Sequence, residues 1–182
     1  MGWIILGIVV VLVIIIIGIY NNLVQLKMRV KNAWAQIDTQ LKRRFDLIPN
    51  LVETVKGYKE YEQETLEKVI SARNKYVAAG NVTDKAEANN MLNESLKSIF
   101  ALAEAYPDLK ANQSFENLQM ELSSTEDKIA YARQFYNDTV QMYNTSILTF
   151  PANIFAGMFN FTSENFFEIT DSVQKEPVKV QF

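Results

Sequence analysis

The sequence predicts an all-α protein, in which an N-terminal transmembrane helix continues into an elongated antiparallel up-and-down bundle of four to five helices. Three observations support this fold class. Residues 3–20 form an unbroken apolar run at the start of the 182-residue chain. Beyond the run, apolar residues recur at intervals of three and four, which is typical of helices that bury one face. The chain also contains only six Gly and four Pro, so long stretches are free of helix breakers.

The apolar run at residues 3–20 is long enough to cross a membrane. At a rise of about 1.5 Å per residue it spans about 27 Å, close to the roughly 30 Å hydrocarbon core of a bilayer. Trp3 and Tyr20 stand at its two ends, where such rings prefer the headgroup level, and Gly7 and Gly18 are its small residues. A cleaved signal peptide is the alternative, but no Lys or Arg precedes the run and no small-residue cleavage site follows it.

We therefore predict a single-pass membrane protein with three parts. Residues 1–21 are the anchor, residues 22–150 are a helical bundle, and residues 151–182 are a Phe-rich membrane-proximal segment with a C-terminal tail. The lipid bilayer is accordingly the first expected partner.

The side of the membrane that holds the bundle is contested within the sequence. Lys27, Arg29 and Lys31 follow the anchor, and by the positive-inside rule alone they place the bundle in the cytoplasm. However, the six N-x-Ser/Thr sequons are about 3.5 times the number that composition predicts, which favours an exported glycoprotein. We favour the extracytoplasmic side, with the cytoplasm as the alternative. The candidate N-glycosylation residues are Asn81, Asn93, Asn112, Asn137, Asn144 and Asn160.

The first two predicted helices meet at Pro49. The apolar pattern continues from the anchor without a break, so we expect one helix over residues 3–47. Pro49 interrupts this helix, and the pattern resumes in a second helix over residues 51–77. The apolar face of the first helix beyond the anchor consists of Leu23, Leu26, Val30, Trp34, Ile37, Leu41, Phe45 and Ile48.

Two further helices complete the predicted bundle. Thr83 or Asp84 is expected to cap the third helix, which ends at Pro107. A polar connection over residues 108–114 follows, and Ser114 is expected to cap the fourth helix. The apolar face of the fourth helix is the clearest in the chain: Phe115, Leu118, Leu122, Thr125, Ile129, Ala132, Tyr136, Val140, Tyr143 and Ile147.

The composition removes most of the usual means of catalysis. The chain has no Cys and no His, which excludes disulfides, Cys-based zinc sites, Cys nucleophiles and imidazole acid–base chemistry. Its net charge of −3 argues against nucleic acid as a partner. We predict a protein that is not an enzyme, with no catalytic residue, cofactor or metal ion. A hydrolase would need two converging carboxylates, and no spacing in the chain indicates such a pair.

A polar cluster surrounds the predicted junction of the first two helices. We interpret it as helix-end chemistry, in which Asp46 or Asn50 caps the second helix and an Arg meets helix carbonyls or a facing carboxylate. A site for an anion or a partner is the alternative, because paired Arg side chains bind anions well. The cluster consists of Arg43, Arg44, Asp46, Pro49 and Asn50.

The Phe-rich segment is expected to return to the membrane. Short connections make successive helices antiparallel, so the chain after the fourth helix comes back towards the anchor. Its aromatic rings are interpreted as a plug for the end of the bundle, with an interfacial foot or a subunit contact as the sharper alternative. The residues concerned are Phe150, Pro151, Phe155, Phe159 and Phe161.

The chain resembles the LemA family of membrane-anchored helical proteins. The matching segments are RRFDLIPNLVETVKGY at residues 43–58, ENLQ at 116–119, TEDKIA at 125–130, FPANI at 150–154 and PVKVQF at 177–182. The resemblance implies one N-terminal transmembrane helix and an elongated helical domain. It also implies links to membrane remodelling, organelle assembly or envelope proteases, and it supplies no catalytic residues to transfer.

We interpret the chain as a non-enzymatic helical scaffold that associates with itself in the cell envelope as a glycosylated surface assembly. The alternative is an adaptor or sensor subunit that binds an envelope partner such as a membrane protease. Both hypotheses expect protein partners and no nucleic acid.

Overall fold

The computed structural model describes residues 1–57 and 63–168. These residues form helices and no strand, which confirms the predicted all-α class. The helices are α1 (Gly2–Asp46), α2 (Ile48–Lys56), α3 (Gln63–Ala78), α4 (Val82–Ala105), α5 (Pro107–Lys110), α6 (Gln113–Leu148) and α7 (Ala152–Met158).

Helix α1 combines two kinds of surface. Its first part is apolar all round, and nearly every large side chain from Trp3 to Ile17 is exposed. From Leu23 onwards the helix is amphipathic, because buried residues recur every three or four positions on one face. That buried face consists of Leu23, Leu26, Val30, Ala33, Ile37, Leu41 and Phe45, while Trp34 is half-buried.

The chain divides into two compact units. Among the described residues, unit 1 contains residues 1–38 and 131–166, and unit 2 contains residues 39–57, 63–130, 167 and 168. These units are defined by internal packing rather than by position in a membrane. The part boundaries at residues 21 and 150 therefore stay a prediction.

Unit 1 is built on α1 and α6, which run antiparallel. The rings of Trp34 and Tyr136 lie 5.7 Å apart between their centroids, whereas Tyr20 lies 4.9 Å from Phe159. Tyr20 precedes Trp34 in the chain, whereas its partner Phe159 follows Tyr136, as expected for segments that run antiparallel. The core contributed by α6 consists of Tyr136, Val140, Tyr143 and Ile147.

Unit 2 contains the hairpin of α3 and α4. Lys75 Nζ lies 2.6 Å from Glu87 Oε1, and Lys85 Nζ lies 5.3 Å from the centroid of the Tyr76 ring, so the two helices run antiparallel. Phe45 of α1 stacks on Tyr76 with ring centroids 4.2 Å apart. The core contributed by α2, α3 and α4 includes Leu51, Val55, Leu66, Val69, Leu92, Leu96 and Ile99.

The junction near Pro49 differs in detail from the prediction. The helical break falls at Leu47, and α2 starts at Ile48 with Pro49 in its first turn. A proline fits there because no intrahelical N–H bond is needed at that position. The predicted second helix over residues 51–77 corresponds to α2 and α3, and its stretch at residues 58–62 lies outside the described residues.

The predicted helix caps were wrong at two helices. Asn81, not Thr83 or Asp84, caps α4, since Asn81 Oδ1 accepts a 2.8 Å hydrogen bond from the Asp84 backbone N–H. Asn112, not Ser114, caps α6: its Oδ1 accepts from the N–H groups of Ser114 and Phe115 at 2.9 and 3.1 Å. Asn, Asp, Ser and Thr are all good caps, so composition alone does not choose among neighbours.

The predicted polar connection at residues 108–114 was also only partly right. The short helix α5 occupies its first half. Leu109, which lies in this helix, is 2% exposed and belongs to the core. Pro107 starts α5 as well as ending α4, because its ring suits the first turn of a helix.

Candidate functional site

The N-terminal part of α1 offers an apolar surface to its surroundings. Of the helices in residues 1–57 and 63–168, it alone is long and apolar enough to cross a membrane. The Trp3 side chain is 87% exposed and that of Tyr20 is 39% exposed. Such a surface costs free energy in water, at about 25 cal/mol per Å² of apolar area, and a bilayer removes that cost.

Aromatic residues from the end of unit 1 gather at Tyr20, where the apolar run ends. The Phe159 and Phe161 rings meet the Tyr20 ring edge-on, with centroids 4.9 and 5.8 Å away. Lys27 Nζ lies 5.8 Å from the centroid of the Phe161 ring, within the range of a cation–π contact. The Phe-rich segment therefore packs beside the end of the apolar run.

The side chains around α7 divide into an inner and an outer set. Ala156 is buried and Phe155 is half-buried, while Pro151 is exposed. The outer set consists of large apolar side chains with high exposed fractions: Phe150 at 75%, Ile154 at 53%, Met158 at 69% and Phe159 at 46%. A plug for the end of a bundle would bury its rings, so only part of this segment fits that interpretation.

The chain after α7 is held against α6 by hydrogen bonds to its backbone. We call this segment, residues 161–166, the strap. Tyr136 Oη donates to the carbonyl of Asn165 at 2.7 Å, and Tyr143 Oη donates to the carbonyl of Thr162 at 2.9 Å. Burial, together with the nearby Glu164 charge, raises the pKa of Tyr136 to about 12 and raises the pKa of Tyr143 in the same direction.

Asn144 supplies the remaining contacts of the strap. Its Nδ2 donates to the carbonyl of Glu164 and its Oδ1 accepts from the N–H of Glu164, both at 2.9 Å. Periodicity placed Tyr136 and Tyr143 on the apolar face of the helix but gave no sign of this backbone partner. The available signal was a group of hydrogen-bonding side chains at the end of an otherwise apolar face.

The sequon asparagines have structural positions of several kinds. Asn81 and Asn112 cap helices, and Asn144 holds the strap. Asn93 and Asn137 are half-buried within helices, whereas Asn160 is exposed in the left-handed conformation with φ of 57°. Part of the asparagine excess thus has a folding role, and glycosylation of these residues stays a prediction.

Arg44 is the most unusual side chain of unit 2, since only 1% of its surface is exposed. Its Nη1 donates to Asn89 Oδ1 at 3.0 Å, and its Nη2 lies 3.4 Å from Glu126 Oε2. Burial lowers the pKa of Arg44, and the Glu126 charge opposes this effect. Arg44 Nε and Asn89 Nδ2 are buried without a hydrogen-bond partner. The guanidinium is therefore a buried cation with incomplete compensation.

The residues of the predicted junction cluster do not lie together in one site. Arg43 stays at the surface, 3.7 Å from Glu121 with both side chains about half exposed. Asp46, Pro49 and Asn50 are exposed, and no side chain caps α2, so the expected capping by Asp46 or Asn50 was wrong. Only Leu47 separates α1 from α2, and its backbone is itself helical, so the N-cap position lacks the extended conformation that a capping residue usually adopts. The helical spacing did contain a signal for the burial of Arg44, because Arg44 lies three residues after Leu41, which is buried.

The surface near Arg43 has a shallow cavity of about 470 Å³. It is lined by Arg43, Asn117, Leu118, Met120, Glu121 and Ser124. Within the part of the chain that the structure describes, no three acidic side chains come close enough together to hold a metal ion.

Comparison with known proteins places this architecture in a family. The model of the LemA family matches residues 33–182. Protein LemA of Metamycoplasma hominis is 27% identical over 156 residues, which cover 85% of this chain and 71% of that protein. The magnetosome proteins MamQ 1 and MamQ 2 of Paramagnetospirillum magneticum are each 27% identical over 81 residues, which cover 44% of this chain and only 30% of each relative.

Proposed function

This chain belongs to the LemA family, and from that premise we propose that it is a membrane-anchored helical scaffold that associates with copies of itself in the cell envelope. The apolar part of α1 is the anchor in this proposal. The relatives' names carry no enzymatic activity, and the proposed role is accordingly a binding role.

The observation that carries self-association is a second apolar face on α6. Tyr131, Phe135 and Met142 are exposed at 77%, 54% and 54%. Their spacings of four and seven residues place them within about 40° of one another around the helix. The buried face of the same helix, at Tyr136 and Val140, points about 140° or more away from Tyr131. We call Tyr131, Phe135 and Met142 the outer stripe.

A second copy of the chain is the partner that best suits the outer stripe. Anchors that all insert in the same direction hold the copies side by side in one membrane, with their α6 helices at the same distance from its surface. This arrangement raises the effective concentration of one stripe near another without any new contact. Burial of exposed aromatic and Met side chains then supplies the free energy of association.

The mass of the detergent-solubilised protein tests the assembly. We expect light scattering to give a homo-oligomer for the native chain, and we expect Phe135→Glu to shift it to the mass of one chain. Gln141→Glu is the matched control, because it adds the same charge to an exposed position of α6 outside the stripe. A native protein that stays monomeric on concentration would refute self-association. Capture of one stoichiometric partner by such a monomer would support the adaptor alternative instead.

The mass of the intact native protein tests the anchor and the side of the membrane. We propose an extracytoplasmic bundle, supported by the sequon excess and opposed by Lys27, Arg29 and Lys31. A retained N-terminus agrees with an anchor, whereas loss of about the first 20 residues would show a signal peptide. Glycan mass on the chain would support the extracytoplasmic side.

A further inference from the structure

We propose that the outer set around α7 lies in the interfacial layer of the bilayer, beside the anchor. We call these residues, Phe150, Ile154, Met158 and Phe159, the foot. The inference rests on the proposed function, because it takes the apolar part of α1 to be a membrane anchor. It adds a second point of attachment, which makes unit 1 a body fixed to the membrane surface at two places.

The height of the foot is set by its contact with Tyr20. The apolar run of α1 ends at Tyr20, so a bilayer that covers the run has its boundary at this ring. Phe159 touches that ring at 4.9 Å between centroids and directly follows α7. A helix of seven residues is only about 10 Å long, so all of α7 lies within about 15 Å of the boundary.

The chemistry of the segment fits a lipid interface better than water. No charged residue occurs between Asp138 and Glu164, a stretch that contains the end of α6 and all of α7. Within that stretch the foot exposes two Phe side chains, one Ile and one Met. Large apolar side chains on a short amphipathic helix bind the boundary between headgroups and acyl chains.

Basic residues lie on the headgroup side of the same contact. Lys27 approaches the ring of Phe161, and Arg29 and Lys31 follow within the next turn of α1. Lys27 lies seven residues beyond Tyr20, about 10 Å further along the helix axis. Cations at that height attract anionic headgroups, which adds an electrostatic attraction to the burial of the foot.

A second copy of the chain is a less suitable occupant for the foot. A protein contact there would have to exclude the lipid that already surrounds the neighbouring anchor. The outer stripe on α6 offers a protein partner a surface away from that boundary. We therefore assign the foot to lipid, and a protein cover becomes one outcome of the test.

Spin labels on single cysteines measure the depth of the foot directly. The chain has no Cys, so each variant carries one label in the otherwise unchanged full-length protein. The foot variants are Ile154→Cys and Met158→Cys, in vesicles of phosphatidylcholine and phosphatidylglycerol. Val11→Cys in the anchor is the deep reference, and Gln134→Cys, at an exposed position of α6 outside the outer stripe, is the aqueous reference. We expect oxygen and nickel accessibilities that place both foot labels roughly 5–10 Å below the headgroup boundary.

Three results would overturn the assignment in distinguishable ways. Nickel accessibility at Ile154 and Met158 equal to that at Gln134, together with a deep Val11 label, would show that the anchor is in the bilayer and the foot lies in water. Protection from both oxygen and nickel, with dipolar broadening that disappears on dilution with unlabelled chains, would show a protein cover. A Val11 label exposed to nickel would refute the anchor itself, and with it the basis of the foot.

Discussion

The side chain of Asn144 forms hydrogen bonds with both the N–H and the carbonyl of Glu164. The carboxamide of Asn144 accepts from the N–H of Glu164 and donates to its carbonyl, and both hydrogen bonds are 2.9 Å long. The two residues are 20 positions apart in sequence. One side chain thus supplies the pairing that a neighbouring strand would otherwise provide, and it fastens the strap to α6.

Replacement of Asn144 by Ala should loosen the strap. Asn144→Ala removes both hydrogen bonds and leaves two part-buried backbone groups unpaired, so we expect a loss of about 1–3 kcal/mol in the free energy of unfolding. Thermal unfolding in detergent, followed by circular dichroism, measures the change. Gln141→Ala is the control, since Gln141 is exposed on the same helix. Equal stability of the two variants would contradict the structural role of Asn144.

The start of α6 offers a test between two neighbouring caps. Asn112 accepts hydrogen bonds from two N–H groups of the first turn, so Asn112→Ala should cost about 1 kcal/mol. Ser114→Ala should change the stability by less than about 0.5 kcal/mol, because Ser114 is exposed and already inside the helix. The ranking of the two melting temperatures decides the matter, and the reverse order would restore Ser114 as the cap.

Arg44 and Arg43 should respond very differently to the same substitution. Arg44→Ala leaves a cavity and an unpaired Asn89 carbonyl oxygen in the core of unit 2, with an expected cost of about 2–4 kcal/mol. Arg43→Ala breaks only a surface ion pair and should cost less than about 1 kcal/mol. Chemical denaturation of both variants gives the comparison. Similar losses would mean that the burial of Arg44 is not maintained in solution.

A third variant separates the charge of Arg44 from its volume. Arg44→Met keeps most of the volume and removes the buried cation, whose compensation in the structure is incomplete. We expect Arg44→Met to be more stable than Arg44→Ala, because both variants lose the charge and its desolvation cost but only Ala leaves a large cavity. The same denaturation measurement tests this order.

The stability of unit 1 should fall in alkaline solution through Tyr136. Its pKa is raised from 10.0 to about 12, so the folded state keeps the phenolic proton that the unfolded state releases. The contribution of Tyr136 is fully present below pH 10 and is lost as the pH rises towards 12. We expect melting temperatures measured between pH 8 and about pH 11 to fall more steeply for the native chain than for Tyr136→Phe. Parallel curves would contradict the assignment.

Periodicity predicted the helix faces well because spacing alone decides which side chains share a face. Leu122, Ile129, Val140 and Ile147 were assigned to the apolar face of the fourth helix, and all four are buried. Leu118 of the same predicted face is only half-buried, since it lies beside the surface cavity.

The polar contacts were harder to predict because their partners are distant in sequence. Asn89 and Glu126 meet Arg44 across 45 and 82 positions, and no local pattern encodes such pairs. The prediction of Thr83 or Asp84 as the cap of α4 failed for another reason. Several good capping residues stand close together there, and the path of the preceding chain selects one of them.

Residues 162–165 of the strap are bound to α6 through main-chain groups. Tyr136, Tyr143 and Asn144 contact carbonyl and N–H groups, which every residue other than proline presents alike. Related sequences can therefore diverge freely at residues 162–165 as long as α6 keeps the three side chains that form these hydrogen bonds. Proline at position 164 is the exception, because it would remove the N–H that Asn144 binds.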